Sequence, residues 1–169
     1  MKTKISSYHV GIAAEAIAAA QFARIECDIS VQYGANQPEY DLVAVRGKQF
    51  LKISVKGSQD GSWGLTQNLL SNANYHKAAD DWLNKHQKGT VYCFVQFKDA
   101  GLDQLPRIYL ALPSEIAIRL KETSKGRGDT ILYEHHTWGP TANAAGTIEK
   151  TPDLWKFSKE RVDQLFEMS

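Results

Sequence analysis

The amino-acid sequence predicts one α/β domain in which helices flank a mixed central sheet, and three observations lead to this class. The chain has 169 residues and an ordinary globular composition, with 43% hydrophobic and 23% charged residues, which suits one domain with its own core. An alanine-rich helical pattern opens the chain. Strand and helix patterns then alternate, as expected for a sheet covered by helices.

Charge and cysteine content narrow the class of protein. The formal net charge is +1, which argues against a strongly basic protein that coats DNA. Cys27 and Cys93 lack the spacing of a redox or metal motif, and no signal peptide or membrane-spanning segment is expected. We therefore expect a cytoplasmic protein that does not contact a membrane.

The first predicted helix covers residues 6–25. Its apolar residues extend around most of its surface, which predicts a buried helix. Glu15 is the only formal charge between Lys4 and Arg24, so its carboxylate is expected to be at least partly buried. Such a group is costly unless it is paired, protonated or bound to a metal. One predicted stripe of this helix consists of Ile12, Glu15, Ala19 and Phe22, and the apolar surface is widened by Val10, Ala14, Ile17 and Ala18.

Three strands are predicted next. A short one covers residues 28–34, and a turn is expected at 36–38. Residues 40–46 and 49–57 then form a β-hairpin around a glycine-containing connection. Because side chains alternate along a strand, Lys52, Ser54 and Lys56 face one way and the apolar residues between them face the other. The stretch from 57 to 64 is predicted to be a flexible polar loop.

The remaining elements complete the sheet and extend the chain. The segment 90–98 has the highest β-propensity. We expect a core of about residues 7–112 within a single domain of residues 1–169, with residues 113–169 as appended helices and a loop. The predicted elements are a helix at 72–87, strands at 90–98 and 107–112, a helix at 113–123, a strand at 130–134, a long loop at 137–152 and a helix at 157–167.

Two carboxylates and a lysine converge in this arrangement. Asp41 opens one hairpin strand, Lys56 closes the next, and the preceding helix brings Glu15. Carboxylate oxygens bind hard divalent cations such as Mg²⁺ or Mn²⁺, and such a cation polarises a scissile phosphate and acidifies a bound water. The lysine would orient that water or stabilise charge on the phosphate. This set suits metal-assisted cleavage of phosphodiester bonds.

The same residues resemble a known family. Gly11 to Glu15 (G-x-x-x-E), the run YDLVA at 40–44 and the run ISVKGS at 53–58 look like the PD-(D/E)XK nuclease superfamily, in its restriction-endonuclease-like and Holliday-junction-resolvase-like branch. The resemblance covers residues 7–98 and implies an αβββαβ core. It also implies that Glu15 assists metal or water binding, that Asp41 binds the metal with the carbonyl of Val55, and that Lys56 is the motif lysine.

Ser54 departs from the family pattern, which has Glu, Asp or sometimes Gln two residues before the lysine. A serine hydroxyl is a weak, neutral oxygen donor. Three explanations remain open. The site is active with metal held by Asp41, Glu15 and water; another acid, Glu39 or Asp60, replaces the missing one; or the domain binds nucleic acid or a protein partner without cutting.

The expected partner is DNA, and five residues are candidates for contacting it. Trp63 lies in the predicted polar loop, where it would stack on a base or simply anchor the loop. The other four, listed here, would contact the backbone or remain ordinary solvated residues: Lys52, Ser58, Lys125 and Arg127. A homodimer is also expected, because cutting both strands of a duplex usually requires two sites.

Two alternatives involve no nuclease chemistry. A structural salt bridge from Glu15 to Lys56 would satisfy both groups. A different α/β domain would have its site elsewhere, around His135, His136 and the loop at 137–152, although a second cluster with zinc-ligand spacing is lacking.

Overall fold

A computed structural model describes residues 5–32, 39–86 and 89–168. These residues group into two compact units. The first is drawn from Met1–Asp60, Gln87–Ala111 and Leu154–Ser169, and the second from Gly61–His86 and Leu112–Asp153. The single domain remains a prediction. The turn expected at 36–38, the last two residues of the predicted strand 28–34 and the predicted helix end at 87 lie outside the described residues.

The secondary structure follows the predicted order with shorter elements. Two 3₁₀ turns, Gln67–Leu69 and Asp153–Trp155, accompany the helices and strands. In chain order these are α1 (Ser7–Ala23), β1 (Asp28–Val31), β2 (Leu42–Arg46), β3 (Gln49–Ser58), β4 (Ser62–Gly64), α2 (Tyr75–Leu83), β5 (Thr90–Gln96), β6 (Arg107–Ala111), α3 (Pro113–Glu122), β7 (Ile131–Tyr133), β8 (His135–Thr137), β9 (Ile148–Lys150) and α4 (Lys159–Glu167).

A mixed five-stranded sheet forms the centre of the first unit, in the order β1-β2-β3-β5-β6. The pairs β1–β2, β2–β3 and β5–β6 are antiparallel, and β3–β5 is parallel. Every residue of β5 is buried. The prediction of a mixed α/β fold with a mixed sheet is therefore confirmed. None of the helices in the described part of the chain is long and apolar enough to span a membrane.

Helix α1 packs against β3 through small residues. Its cap is Ser6, whose side chain accepts a hydrogen bond from the His9 N–H. A Cβ on Gly57 of β3 would lie 2.8 Å from Val10 and 2.9 Å from Ala14, so the glycine permits a close approach. The buried face is Val10, Ala14, Ala18 and Phe22.

The prediction for α1 is therefore correct in part: the buried residues all belong to its predicted apolar surface, but of the central stripe only Phe22 is buried and the helix as a whole is not. Ile12 is 48% exposed and Tyr8 is 71% exposed. The alanine-rich surface is nearly uniform in hydropathy, so the pattern alone could not select a face. Gly57 on β3 determines which face of α1 is buried, because only small side chains fit against that strand.

Two predicted loops contain short strands in the second unit. The polar stretch after Gly57 continues β3 to Ser58 and then forms β4, which pairs with β7. The stretch from 137 to 152 begins at the last residue of β8 and contains β9 near its end. These two strands pair with each other. Residues 138–147 contain no helix or strand, so the second expectation is correct for most of its length. The short strands were missed because three residues carry little periodicity of their own and are defined by pairing.

Candidate functional site

Asp41 is fixed where the chain enters β2. Its N–H donates to the carbonyl of Ile53 at 2.8 Å, and its Oδ2 accepts the N–H of Val55 at 2.6 Å. Since Leu42 pairs with Ile53, one further step along the antiparallel ladder places Asp41 opposite Ser54. The carboxylate is thus held by the backbone of β3 rather than by a side chain.

Glu15 is half-buried on α1, as expected. Burial raises the pKa of the Glu15 carboxyl, the nearby charge of Asp41 raises it further, and Lys56 opposes both effects. Burial and the repulsion from Asp41 thus outweigh the effect of Lys56 on the pKa of Glu15. Asp41 and Lys56 are the two charged groups that act electrostatically on Glu15.

Lys56 is exposed near the end of β3, where it pairs in register with Phe94 of β5. Helix α1, the entry to β2 and the end of β3 thus bring together the three charged residues that the sequence singled out.

Ser54 lies next to Tyr92, which sequence reasoning missed. The two residues pair in register between β3 and β5, and they are 2% and 5% exposed. Burial raises the pKa of Tyr92 to about 12, against a hydrogen bond with Ser54 that lowers it. The charges of Glu39 and Asp41 raise it as well. A tyrosine inside an otherwise apolar strand was the available signal, since a buried hydroxyl needs a polar partner.

The two acids considered as replacements for the missing carboxylate differ in placement. Asp60 is exposed and accepts a hydrogen bond from the Ser58 hydroxyl at 3.0 Å, just beyond β3. Glu39 is half-buried and its charge acts on Tyr92, the neighbour of Ser54. Of the two acids, Glu39 is therefore the one whose charge affects the surroundings of Ser54.

The described residues offer few ligands for a metal ion. Among residues 5–32, 39–86 and 89–168, no group of three or more His, Cys, Asp or Glu side chains could hold a metal ion. Mg²⁺ often uses only one or two carboxylates and keeps several waters. A cation bound in that way would need only Glu15 and the remaining oxygen of Asp41, and the hydroxyl of Ser54 adds no charge.

Two further residues of the first unit were expected to contact nucleic acid. Lys52 is half-buried, and its Nζ lies 5.6 Å from the centroid of the Tyr40 ring. Ser58 is 7% exposed and its hydroxyl donates to Asp60. Both side chains thus have contacts within the protein.

Trp63 does not lie in a polar loop, and that expectation is wrong. It is the central residue of β4, pairs in register with Leu132 and is 4% exposed. A ring buried to this extent presents no face on which a base could stack. The alternative role, an anchoring tryptophan, matches the observed burial.

Lys125 and Arg127 are exposed on the turn after α3. The histidine pair that offered an alternative site lies on β8, where His135 is exposed and His136 stacks on Tyr133 with 4.4 Å between ring centroids. His136 is thus part of an aromatic cluster.

No protein-family model matches this chain, and no curated protein matches its sequence.

Proposed function

We propose that the protein is a metal-dependent endonuclease of the PD-(D/E)XK type that hydrolyses phosphodiester bonds in DNA. The observation that carries the proposal is the convergence of Asp41 and Lys56 on Glu15, from three separate elements. An acid whose pKa is raised by burial and by a second acid, with a lysine beside them, is the kind of environment found at catalytic sites.

The order of elements supports the same proposal. The described chain runs α1, β1, β2, β3, then the short strand β4, α2 and β5, with β1 to β3 antiparallel and β3 parallel to β5. Apart from β4, this order is compatible with the αβββαβ core that the resemblance implies. Fold alone does not imply function, so the proposal depends on the charged residues.

Each residue has a role that its position allows. Glu15 and Asp41 would hold Mg²⁺ or Mn²⁺ with the carbonyl of Val55, and the backbone N–H of Val55 keeps the Asp41 carboxylate oriented. The bound cation would supply polarisation of the phosphate and a more acidic water. The exposed ammonium of Lys56 would orient that water or stabilise negative charge on the phosphate.

The test is cleavage of supercoiled, linear and branched DNA in the presence of Mg²⁺ or Mn²⁺. We expect Lys56→Ala and Asp41→Asn each to reduce the cleavage rate by about 10²-fold or more. Lys48→Ala is the matched control, because Lys48 is an exposed lysine on the turn of the same hairpin. Equal cleavage by the Lys56 and Lys48 variants would show that the proposed site is wrong.

A second candidate function is binding of nucleic acid or a protein partner without cleavage. The observation that favours it is the burial of Ser54 against Tyr92 at the position where the family has an acid. On this account the wild-type protein shows no metal-dependent cleavage, and Ser54→Glu gains it. Ser30→Glu, on an exposed position of β1, controls for the added charge.

Cytoplasmic location and homodimer formation stay predictions. Light scattering of the purified protein, with and without DNA, tests the dimer directly. A monomer that cuts only one strand would fit a single site per chain.

A further inference from the structure

The turn between α3 and β7 has an unusual backbone. Ser124 and Lys125 adopt left-handed conformations, with φ of 57° and 56°. This region is costly for residues other than glycine, and it persists only where the surroundings enforce it. The enforcing contacts are the Ser124 N–H to Glu149 Oε1 at 2.8 Å and the Gly128 N–H to the carbonyl of Thr123 at 2.9 Å.

The side chain of Arg127, on this turn, lies near two aromatic rings. Its guanidinium carbon lies 5.1 Å from the ring centroid of Tyr75 and 5.9 Å from that of Trp138. Its contacts with protein oxygens are long, at 3.5 Å to Gly128 and 4.0 Å to Asp129. The rings therefore orient the guanidinium while most of its donors remain available, which suits a phosphate group.

The nearest acid is directed into the protein. Asp129 is 8% exposed. Its Oδ1 accepts the N–H groups of Thr130 at 2.7 Å and Ile131 at 3.2 Å, and its Oδ2 accepts the hydroxyl of Tyr133 at 3.4 Å. These contacts occupy the carboxylate, so it competes weakly for Arg127.

Trp138 supplies a partly open ring beside the arginine. Of the four tryptophans, all within the described part of the chain, the other three are buried at 7% exposure or less, and Trp138 is half-buried. Its indole N–H donates to Glu149 at 3.1 Å, and His136 packs edge-on at 4.6 Å between centroids. Tyr133, at 5.8 Å between centroids, and Arg127 also contact the ring, which still keeps part of its surface exposed.

We propose that Lys125, Arg127 and Trp138 form a contact site for single-stranded nucleic acid, which we call the Arg127 patch. Arg127 and Lys125 bind backbone phosphates, and Trp138 stacks on an unpaired base, the combination typical of single-strand binding. The inference rests on the proposed function for one thing only, which is that the ligand is a nucleic acid. The patch belongs to the second unit and includes none of the proposed catalytic residues.

The first test measures binding without metal. A fluorescein-labelled single strand of about 20 nucleotides, long enough for one such site, is titrated in EDTA and compared with its duplex. We expect tighter binding of the single strand. Arg127→Ala should weaken it about tenfold and should reduce the slope of log K against log salt by about 0.7. Arg24→Ala, an exposed arginine at the end of α1, should change neither quantity.

The second test separates binding from stability. Lys125→Gly relieves the left-handed backbone and removes a charge, so it should raise the melting temperature while weakening binding. Ala73→Gly is the matched control, because Ala73 is also left-handed, with φ of 55°, and exposed. It should raise the melting temperature and leave binding unchanged.

The third test follows tryptophan fluorescence. The single strand should quench emission in the wild type and in Trp155→Phe, whose tryptophan is 3% exposed, and not in Trp138→Phe. Equal affinities of the Arg127→Ala and Arg24→Ala variants, or no binding of wild type to either form of DNA, would overturn the inference. Cleavage in Mg²⁺ is scored separately, so loss of the proposed catalytic function leaves these binding results intact.

Discussion

Glu15 in the first unit and Glu149 in the second are both carboxylates withdrawn from solvent, yet their surroundings shift their pKa values in opposite directions. Burial and the charge of Asp41 raise the pKa of Glu15. Burial would also raise the pKa of Glu149, but hydrogen bonds from Ser124, Arg119 and Trp138 outweigh it and lower the pKa.

The difference separates a structural acid from a candidate functional one. Glu149 is 6% exposed and each of its oxygens accepts at least one hydrogen bond, including one of 2.6 Å from Arg119. Those donors tie α3, the following turn and the stretch around Trp138 to β9. For Glu15, by contrast, the charge of Asp41 opposes ionisation and only Lys56 favours it. A bound cation would relieve that repulsion.

Removing the charge of Glu149 should have the largest effect on stability. We expect Glu149→Gln to lower the free energy of unfolding by about 3 kcal/mol, because it leaves Arg119, whose side chain is only 17% exposed, without its counterion. Chemical denaturation measures the loss. Glu122→Gln, an exposed acid on α3, is the control and should change little. An unchanged denaturation midpoint for Glu149→Gln would show that Glu149 has no structural role.

Adding one methyl group at Gly57 tests the contact that positions Glu15. Gly57→Ala would place a Cβ 2.8 Å from the carbonyl oxygen of Val10, so we expect a loss of about 2 kcal/mol as α1 is displaced. Gly11→Ala is matched to it, since a Cβ there meets nothing within 4 Å and replaces a helical glycine. That variant should gain about 0.5–1 kcal/mol. Two variants of equal stability would contradict the close packing of α1 on β3.

Glu15→Gln should shift stability in the opposite direction from Glu149→Gln. Since ionised Glu15 is repelled by Asp41 and partly desolvated, its replacement is expected to raise the free energy of unfolding at pH 7. The same change should abolish metal-dependent cleavage. A destabilised Glu15→Gln protein would indicate that the acid is structural after all.

The smallest expected effect is a difference in pH dependence. A lowered pKa in the folded state means that the contribution of Glu149 is present at neutral pH and is lost as the pH falls through the folded value. A raised pKa means that the penalty from Glu15 is present at neutral pH and disappears as the pH falls through its raised value. The stability gain of Glu15→Gln should therefore vanish below about pH 4. Urea denaturation of wild type and both variants between about pH 2.5 and 8 tests this, because that range extends below the ordinary pKa of a glutamate. Parallel curves of stability against pH for the three proteins would contradict the prediction.

Local patterns predicted most of the sheet and its order. The hairpin strands alternate strongly around a glycine turn, and β5 is a continuous apolar run, so both were predicted within two residues. The three-residue strands β4, β8 and β9 were not, because their stability comes from pairing. The stripe on α1 was misassigned, because alanine gives little contrast between faces.

For the candidate site, the sequence determined which charges are available: Glu15 in an apolar helix, Asp41 and Lys56 on the hairpin, and Ser54 in place of an acid. The residue types and their spacing along the chain are local properties. Tertiary structure decided that Tyr92 covers Ser54, that Trp63 is buried and Trp138 is open, and that Glu149 rather than Glu15 holds its surroundings together. Those outcomes depend on strand register and on which donors surround a carboxylate, and neither is a property of any single segment.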